Sequence, residues 1–102
     1  AYTHDGYSVT IENSYSTGTV SGDTDVGGFV GYNEVDINNS YWDTNTSGYT
    51  SGYGRNSGTF NATGLTTSEM TGSSASSNMT GFDFSSTWET ASSDYPELQN
   101  TP

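Results

Sequence analysis

Few side chains in this chain can do chemistry, and their spacing is poor for it. His4 is the single histidine, and it lies in an end segment expected to fray, where a general base would be badly held. No H-E-x-x-H and no G-x-S-x-G is present, and a Ser-based triad has no histidine other than His4. Asp83 stands between Phe82 and Phe84, and Glu89 lies five positions before Asp94. Neither arrangement marks the facing carboxylate pair that glycoside hydrolysis needs. There is no cysteine, hence no disulfide framework and no thiolate metal site. The expectation is therefore no catalytic residue, no cofactor and no enzyme activity.

One metal reading survives this filter. Asp23 and Asp25, one residue apart at a turn, offer hard oxygen ligands of the kind calcium takes, with Asp5 or Asp43 as further donors in a stacked arrangement. Neither the twelve-residue EF-hand pattern nor a repeated G-G-x-G-x-D is present, so a solvated turn is the competing reading.

The elements that position these groups repeat. Val9, Ile11, Asn13, Ser14 and Tyr15 recur as Val35, Ile37, Asn39, Ser40 and Tyr41, each 26 residues later. Val and Ile alternate with polar residues before the Tyr, which is the period-2 pattern of a half-buried strand. Between the copies, "TGTVSG" and "VGGFVGY" read as short glycine-punctuated β runs, joined by a turn at Asp23-Thr24-Asp25. A period of this length built from short strands predicts a solenoid, in which each coil buries its face only against its neighbours. Ile11, Asn13 and Tyr15 would then form a ladder with Ile37, Asn39 and Tyr41. Two look-alike hairpins are the alternative, because strands draw on few residue types.

The stretch "ENSYSTGTVSG…VGGFVGYN" resembles the GLUG repeat, in which V-G-G-L/F-V-G-Y/N alternates with I-x-N-S-Y-A/S-T-G-x-V-S-G. "SYWDTNTSG" (40–48), "GLTTSEM" (64–70), "FDFSSTWE" (82–89) and "YPELQ" (95–99) are similar to the segment that ends such arrays, with Phe82 where that segment often has Trp. The resemblance covers almost the whole chain, with its motifs in order. It implies a short right-handed β-helix of GLUG-type coils over 1–48, closed by a less regular C-terminal cap over 49–102, the two forming one all-β structural unit. Repeats of this kind occur in large bacterial and archaeal surface proteins, including adhesin-like proteins and some metallopeptidases. The peptidase motif is absent here, so only the accessory repeat carries over.

The second half reads as a cap from its residues as well. The segment 43–58 is a polar Gly/Ser/Tyr stretch, too poor in apolar groups to be core, and is expected to be a loop. Thr66-Thr67-Ser68-Glu69 fits the S/T-x-x-E capping box, so one short helix starts there with Met70 facing inward, and Gly72 can end it. Ser73–Ser77 is expected to be a flexible loop. Trp42, Leu65, Met70, Phe82, Phe84, Trp88 and Leu98 are the expected cap core. Tyr2, Tyr7, Tyr32, Tyr49 and Tyr53 are expected partly exposed, suited to protein or sugar contacts.

Composition sets the surroundings. The hydrophobic fraction is 28% and mean hydropathy is -0.70, which alone suggests disorder. Aromatics at 14% and charged residues at only 13% argue for a folded chain. Twelve carboxylates face one basic residue, Arg55, for a net charge of -11. Such a surface repels phosphate backbones and anionic lipid, so neither nucleic acid nor membrane insertion is expected. Lysine-free acidity fits a secreted or cell-surface protein in high salt, where self-repulsion is screened within about 3 Å at molar ionic strength. Asn38, Asn45, Asn61 and Asn78 head N-x-S/T sequons, all usable for glycosylation in a secreted protein.

Two coils are fewer than the three or so a solenoid needs, so the first coil's open face should be covered by upstream repeats or by another copy of the chain. The expected role is a non-enzymatic extracellular structural or adhesion module. It would be either a self-stacking filament subunit or the end of an adhesin-like array, with surface glycans or proteins as further partners. A carbohydrate-binding accessory module of a secreted enzyme is the rival.

Overall fold

The computed structural model describes residues 10–22 and 25–99, and these are mostly strands with three short helices. In chain order they are β1 (Thr10–Glu12), β2 (Tyr15–Ser16), β3 (Val30–Asn33), β4 (Asp36–Asp43), α1 (Thr44–Ser47), β5 (Tyr53–Asn56), β6 (Thr59–Leu65), α2 (Thr67–Met70), α3 (Ser74–Asn78), β7 (Trp88–Ala91) and β8 (Asp94–Leu98). This content is compatible with an all-β class.

β4 is the central element. It pairs in parallel with β1 and β2 on one side and with β6 on the other, while β3 pairs in parallel with β5. The register places Ile11 opposite Ile37 and Tyr15 opposite Tyr41, the same 26-residue offset that the sequence repeats. The next step is shorter: Ile37 lies opposite Phe60 and Val30 opposite Tyr53, 23 residues on. Ile37 and Val30 are buried, with Val35, Ile11, Phe29, Phe60 and Ala62 around them.

Asn13 and Asn39 explain how one strand feeds two cores. Both adopt left-handed backbone, φ 53° and 49°, a region in which asparagine costs least among residues that bear a Cβ. Asn13 N–H donates to the Asn38 carbonyl, and Tyr41 N–H to the Ser14 carbonyl, so the two kinks are in register. The kink breaks the period-2 alternation: Ile37 is buried on one side of it, and Ser40 to Asp43 are all buried beyond it. β6 has no equivalent residue, and its pairing with β4 shifts by one between Asn38 and Ser40. This is a β-bulge, with the extra residue on β4.

Beyond the kink, Tyr41, Met70, Ala75, Met79 and Phe82 form a second buried cluster, with Tyr15, Leu65, Phe84, Trp88 and Tyr95 packed against it. Phe82 stacks on Trp88 at 4.3 Å between ring centroids and meets Tyr41 edge-on at 5.2 Å. β7 and β8 close this side as an antiparallel hairpin with a turn through Ser93, φ 59°.

Several local expectations need correction. The segment 43–58 is not a loop throughout: it holds α1 and β5. Glycine makes this possible, since Gly52 is buried where an added Cβ would lie 2.4 Å from the Phe60 ring, so strand chemistry is present without large side chains. Ser73–Ser77 is mostly helix, in α3, ended by Asn78 donating back to the Ser74 carbonyl. Three short helices therefore replace the expected one. "TGTVSG" contains no strand. α2 starts as expected, with Thr66 accepting from Glu69 N–H, Glu69 returning a bond to Thr66 N–H, and Met70 buried.

Two cap-core assignments also change. Leu98 is 46% exposed at the end of β8, two residues past the buried Pro96. Trp42 is buried, but away from the Met70 cluster: its ring lies against Gly28, Gly52, Gly64 and Phe60, and its Nε1 donates to the Tyr49 carbonyl.

Candidate functional site

Carboxylates that looked like candidates for chemistry turn out to hold structure. Asp43 is fully buried at the junction of β4 and α1. As the N-cap of α1, its Oδ1 accepts from Asn45 N–H at 2.8 Å and Thr46 N–H at 3.1 Å. Its Oδ2 accepts from the Thr67 hydroxyl and the Tyr95 hydroxyl, each at 2.6 Å. Four donors from α1, α2 and β8 thus converge on one carboxylate. Burial pushes the Asp43 pKa up, but the bonds from Thr67, Tyr95, Thr46 and Asn45 outweigh it and hold the carboxyl below its usual range. Tyr95 answers in the opposite direction: burial and the Asp43 carboxylate raise its hydroxyl to about 12. This is a structural lock, and sequence reasoning considered Asp43 only as a spare calcium ligand.

Asp83 caps its own turn, accepting from Ser85 N–H, Ser86 N–H and the Ser86 hydroxyl. Glu89 lies opposite Glu97 and Asp94 opposite Ala91, so Glu89 and Asp94 are not brought together. Asp25 has left-handed backbone and pairs with Arg55 Nε at 3.3 Å, and the Arg55 guanidinium lies 5.0 Å from the centre of the Tyr32 ring. Asp23, Asp5 and His4 lie outside the described residues, as do Tyr2 and Tyr7. Among the described residues no three His, Asp or Glu side chains converge.

Of the expected ladder positions, the two Ile are paired in the interior, whereas the two Tyr reach into the second cluster. The Tyr15 hydroxyl donates to the Pro96 carbonyl and the Tyr41 hydroxyl accepts from Gly81 N–H. Amide-to-amide contacts occur elsewhere. Asn33 Nδ2 donates to Asn56 Oδ1 at 2.8 Å, and Asn61 Nδ2 to Asn38 Oδ1 at 3.0 Å. Asn33 and Asn56 each close the same local turn, with Val35 N–H and Gly58 N–H respectively. The signal in the sequence is N-E-V and N-S-G spaced by 23 residues, which the 26-residue offset of the Ile and Tyr pairs does not reveal.

Two surface features stand out among the described residues. β1 and β2 have β4 as their only strand partner among the described residues, which leaves their other edge without a described strand. Beside that edge runs an open groove of about 710 Å³, lined by Ser14, Tyr15, Trp88, Pro96, Glu97 and Leu98.

Over 89 residues the chain is 38% identical to Halomucin of Haloquadratum walsbyi, a halophile; the match takes in 84% of this chain and 1% of that protein. The chain therefore corresponds to about a hundredth of the relative's length. No family model matches the chain, and no solved structure does. No helix among the described residues is long and apolar enough to cross a membrane.

Proposed function

We propose that this chain is a non-enzymatic, extracellular structural module of a high-salt surface protein, a short GLUG-type right-handed β-solenoid closed by a C-terminal cap. It works by presenting a rigid stacked surface. The observation that carries the reading is the pairing of sequence-equivalent residues in parallel, Ile11 on Ile37 and Tyr15 on Tyr41, next to an outer edge left unpaired among the described residues. A strand edge is a ready template for further pairing, and another coil of the same register covers this one, supplied by upstream repeats or by another copy stacking head-to-tail. Similarity to a halophile's Halomucin and the charge of -11 support the surface and salt parts of the reading.

Electron microscopy of the purified chain, in molar salt and after dilution, tests it. Filaments with a constant axial repeat that loosen on dilution support stacking of copies. Compact monomers in both conditions sink that version and leave the edge to upstream repeats.

A carbohydrate-binding accessory module is the second reading, and the groove between Tyr15, Trp88 and Leu98 favours it. Glycan-array retention that Leu98→Ala abolishes without altering assembly would support it; an empty array ends it.

A further inference from the structure

The four sequons share the N-x-S/T pattern, two ending in Ser and two in Thr, and they are presented differently by the fold. Transfer of a glycan requires the acceptor amide and the hydroxyl two residues on to be presented together, because the transferase reads both. At Asn38 the partner Ser40 is 1% exposed, and its hydroxyl is turned inward onto the Asn38 carbonyl. At Asn45 the amide side chain is exposed but lies on α1, accepting from Thr67 N–H, and its partner Ser47 is 3% exposed, bonded to Tyr49. At Asn78 the Nδ2 is spent twice, on the Glu69 and Ser74 carbonyls.

Asn61 differs in exposure and in the backbone that presents it. It and Thr63 sit two apart on the extended strand β6, and both are exposed. Residues two apart on a strand point to the same face, so the amide and the hydroxyl are offered side by side. Nδ2 makes one bond, to Asn38 Oδ1 on the exposed surface. β6 has β4 as its only strand partner among the described residues, so the acceptor segment is approachable from its outer edge.

We propose that Asn61 is an N-glycosylation site of the folded protein, selected from the four sequons by the presentation of Asn61 and Thr63 on one open strand face. The donor class is a polyprenol-phosphate-linked oligosaccharide. The Asn61 amide nitrogen bonds to the anomeric carbon, the bond from that carbon to the phosphate oxygen breaks, and the lipid phosphate leaves with the electron pair. The amide proton passes to a carboxylate of the transferase. The inference rests on the extracellular reading for its place in the cell, and the experiment is therefore run outside one.

The folded full chain in molar salt is incubated with a lipid-linked oligosaccharide and a single-subunit oligosaccharyltransferase that needs no acidic residue before the sequon. Glycopeptide mass spectrometry then reads occupancy at each Asn, with the urea-denatured chain as reference. The expected result is modification at Asn61 at least tenfold above Asn38, Asn45 and Asn78 in the folded chain, and a spread over several sequons in the denatured one. Asn61→Gln should abolish the signal, and so should Thr63→Ala, which keeps the acceptor amide; unchanged circular dichroism shows that both variants fold. Equal occupancy at Asn45 or Asn78 in the folded chain, or an unmodified Asn61 where the denatured chain is modified there, overturns the proposal. Either failure leaves the surface-module reading standing, since that reading is tested by assembly.

Discussion

Replacing Asp43 by Asn tests whether one carboxylate locks β4 and α1 to α2 and β8. The amide keeps Oδ1 for the backbone N–H groups of Asn45 and Thr46, but puts an NH2 group where Oδ2 now accepts two hydroxyls at 2.6 Å. A hydrogen bond to a charged group contributes about 1.5–3 kcal/mol. The Thr67 hydroxyl can rotate to accept from the new amide; the Tyr95 hydroxyl, held by its ring, does so less well. Asp43→Asn should therefore cost about 2–4 kcal/mol, and Tyr95→Phe about 1.5–3 kcal/mol. The double variant should cost less than the sum, with a coupling of about 1–2 kcal/mol, because both single changes break the same bond. Urea unfolding followed by circular dichroism in molar salt is the assay, since screening at that ionic strength acts on exposed charges and leaves a buried contact intact. Additivity within about 0.5 kcal/mol, or an Asp43→Asn cost below that, would refute the lock.

Three further outcomes follow from the same structure. Asp43 has a depressed pKa in the fold, so its contribution is present above the unfolded carboxylate value of about 3.9 and is lost as pH falls through the folded value. Tyr95 is raised from 10.0 to about 12, so stability should hold up to about pH 10 and fall between pH 10 and about 12, a limb that Tyr95→Phe should flatten in a pH series of unfolding midpoints. Gly28→Ala should cost about 1–3 kcal/mol, because the new methyl would lie 2.3 Å from Trp42 Cδ1 in a packed interior; an unchanged urea midpoint would show that Trp42 can move aside.

Legibility in the sequence followed the size of the side chains. The 26-residue repeat was visible because Ile11/Ile37 and Tyr15/Tyr41 are large and regularly placed, and the capping box at Thr66 because it is a local motif. The coil that β5 and β6 form beside β3 and β4 was hidden. Its interior is made by Gly52, Gly64 and Phe60 closing on Trp42, which leaves almost no hydrophobic pattern, and its offset is 23 instead of 26. α3, built from Ser and Ala with Asn at its end, carries no apolar stripe, and buried Ala75, the following Met79 and the Asn78 bond to the Glu69 carbonyl dock it.

Composition and repeat alone determined that this is an acidic, cysteine-free chain of mostly strands with equivalent positions in two copies. Both properties are local or additive, and need no knowledge of what touches what. The tertiary structure alone decided the roles. Asp43, read as a possible ligand, became the acceptor for groups 24 and 52 residues away in sequence. Four sequons of one pattern became unequal because strand, helix and burial differ around each. Those outcomes depend on long-range convergence: which donors meet a buried charge is set by packing, and packing is a property of pairs that no single position encodes.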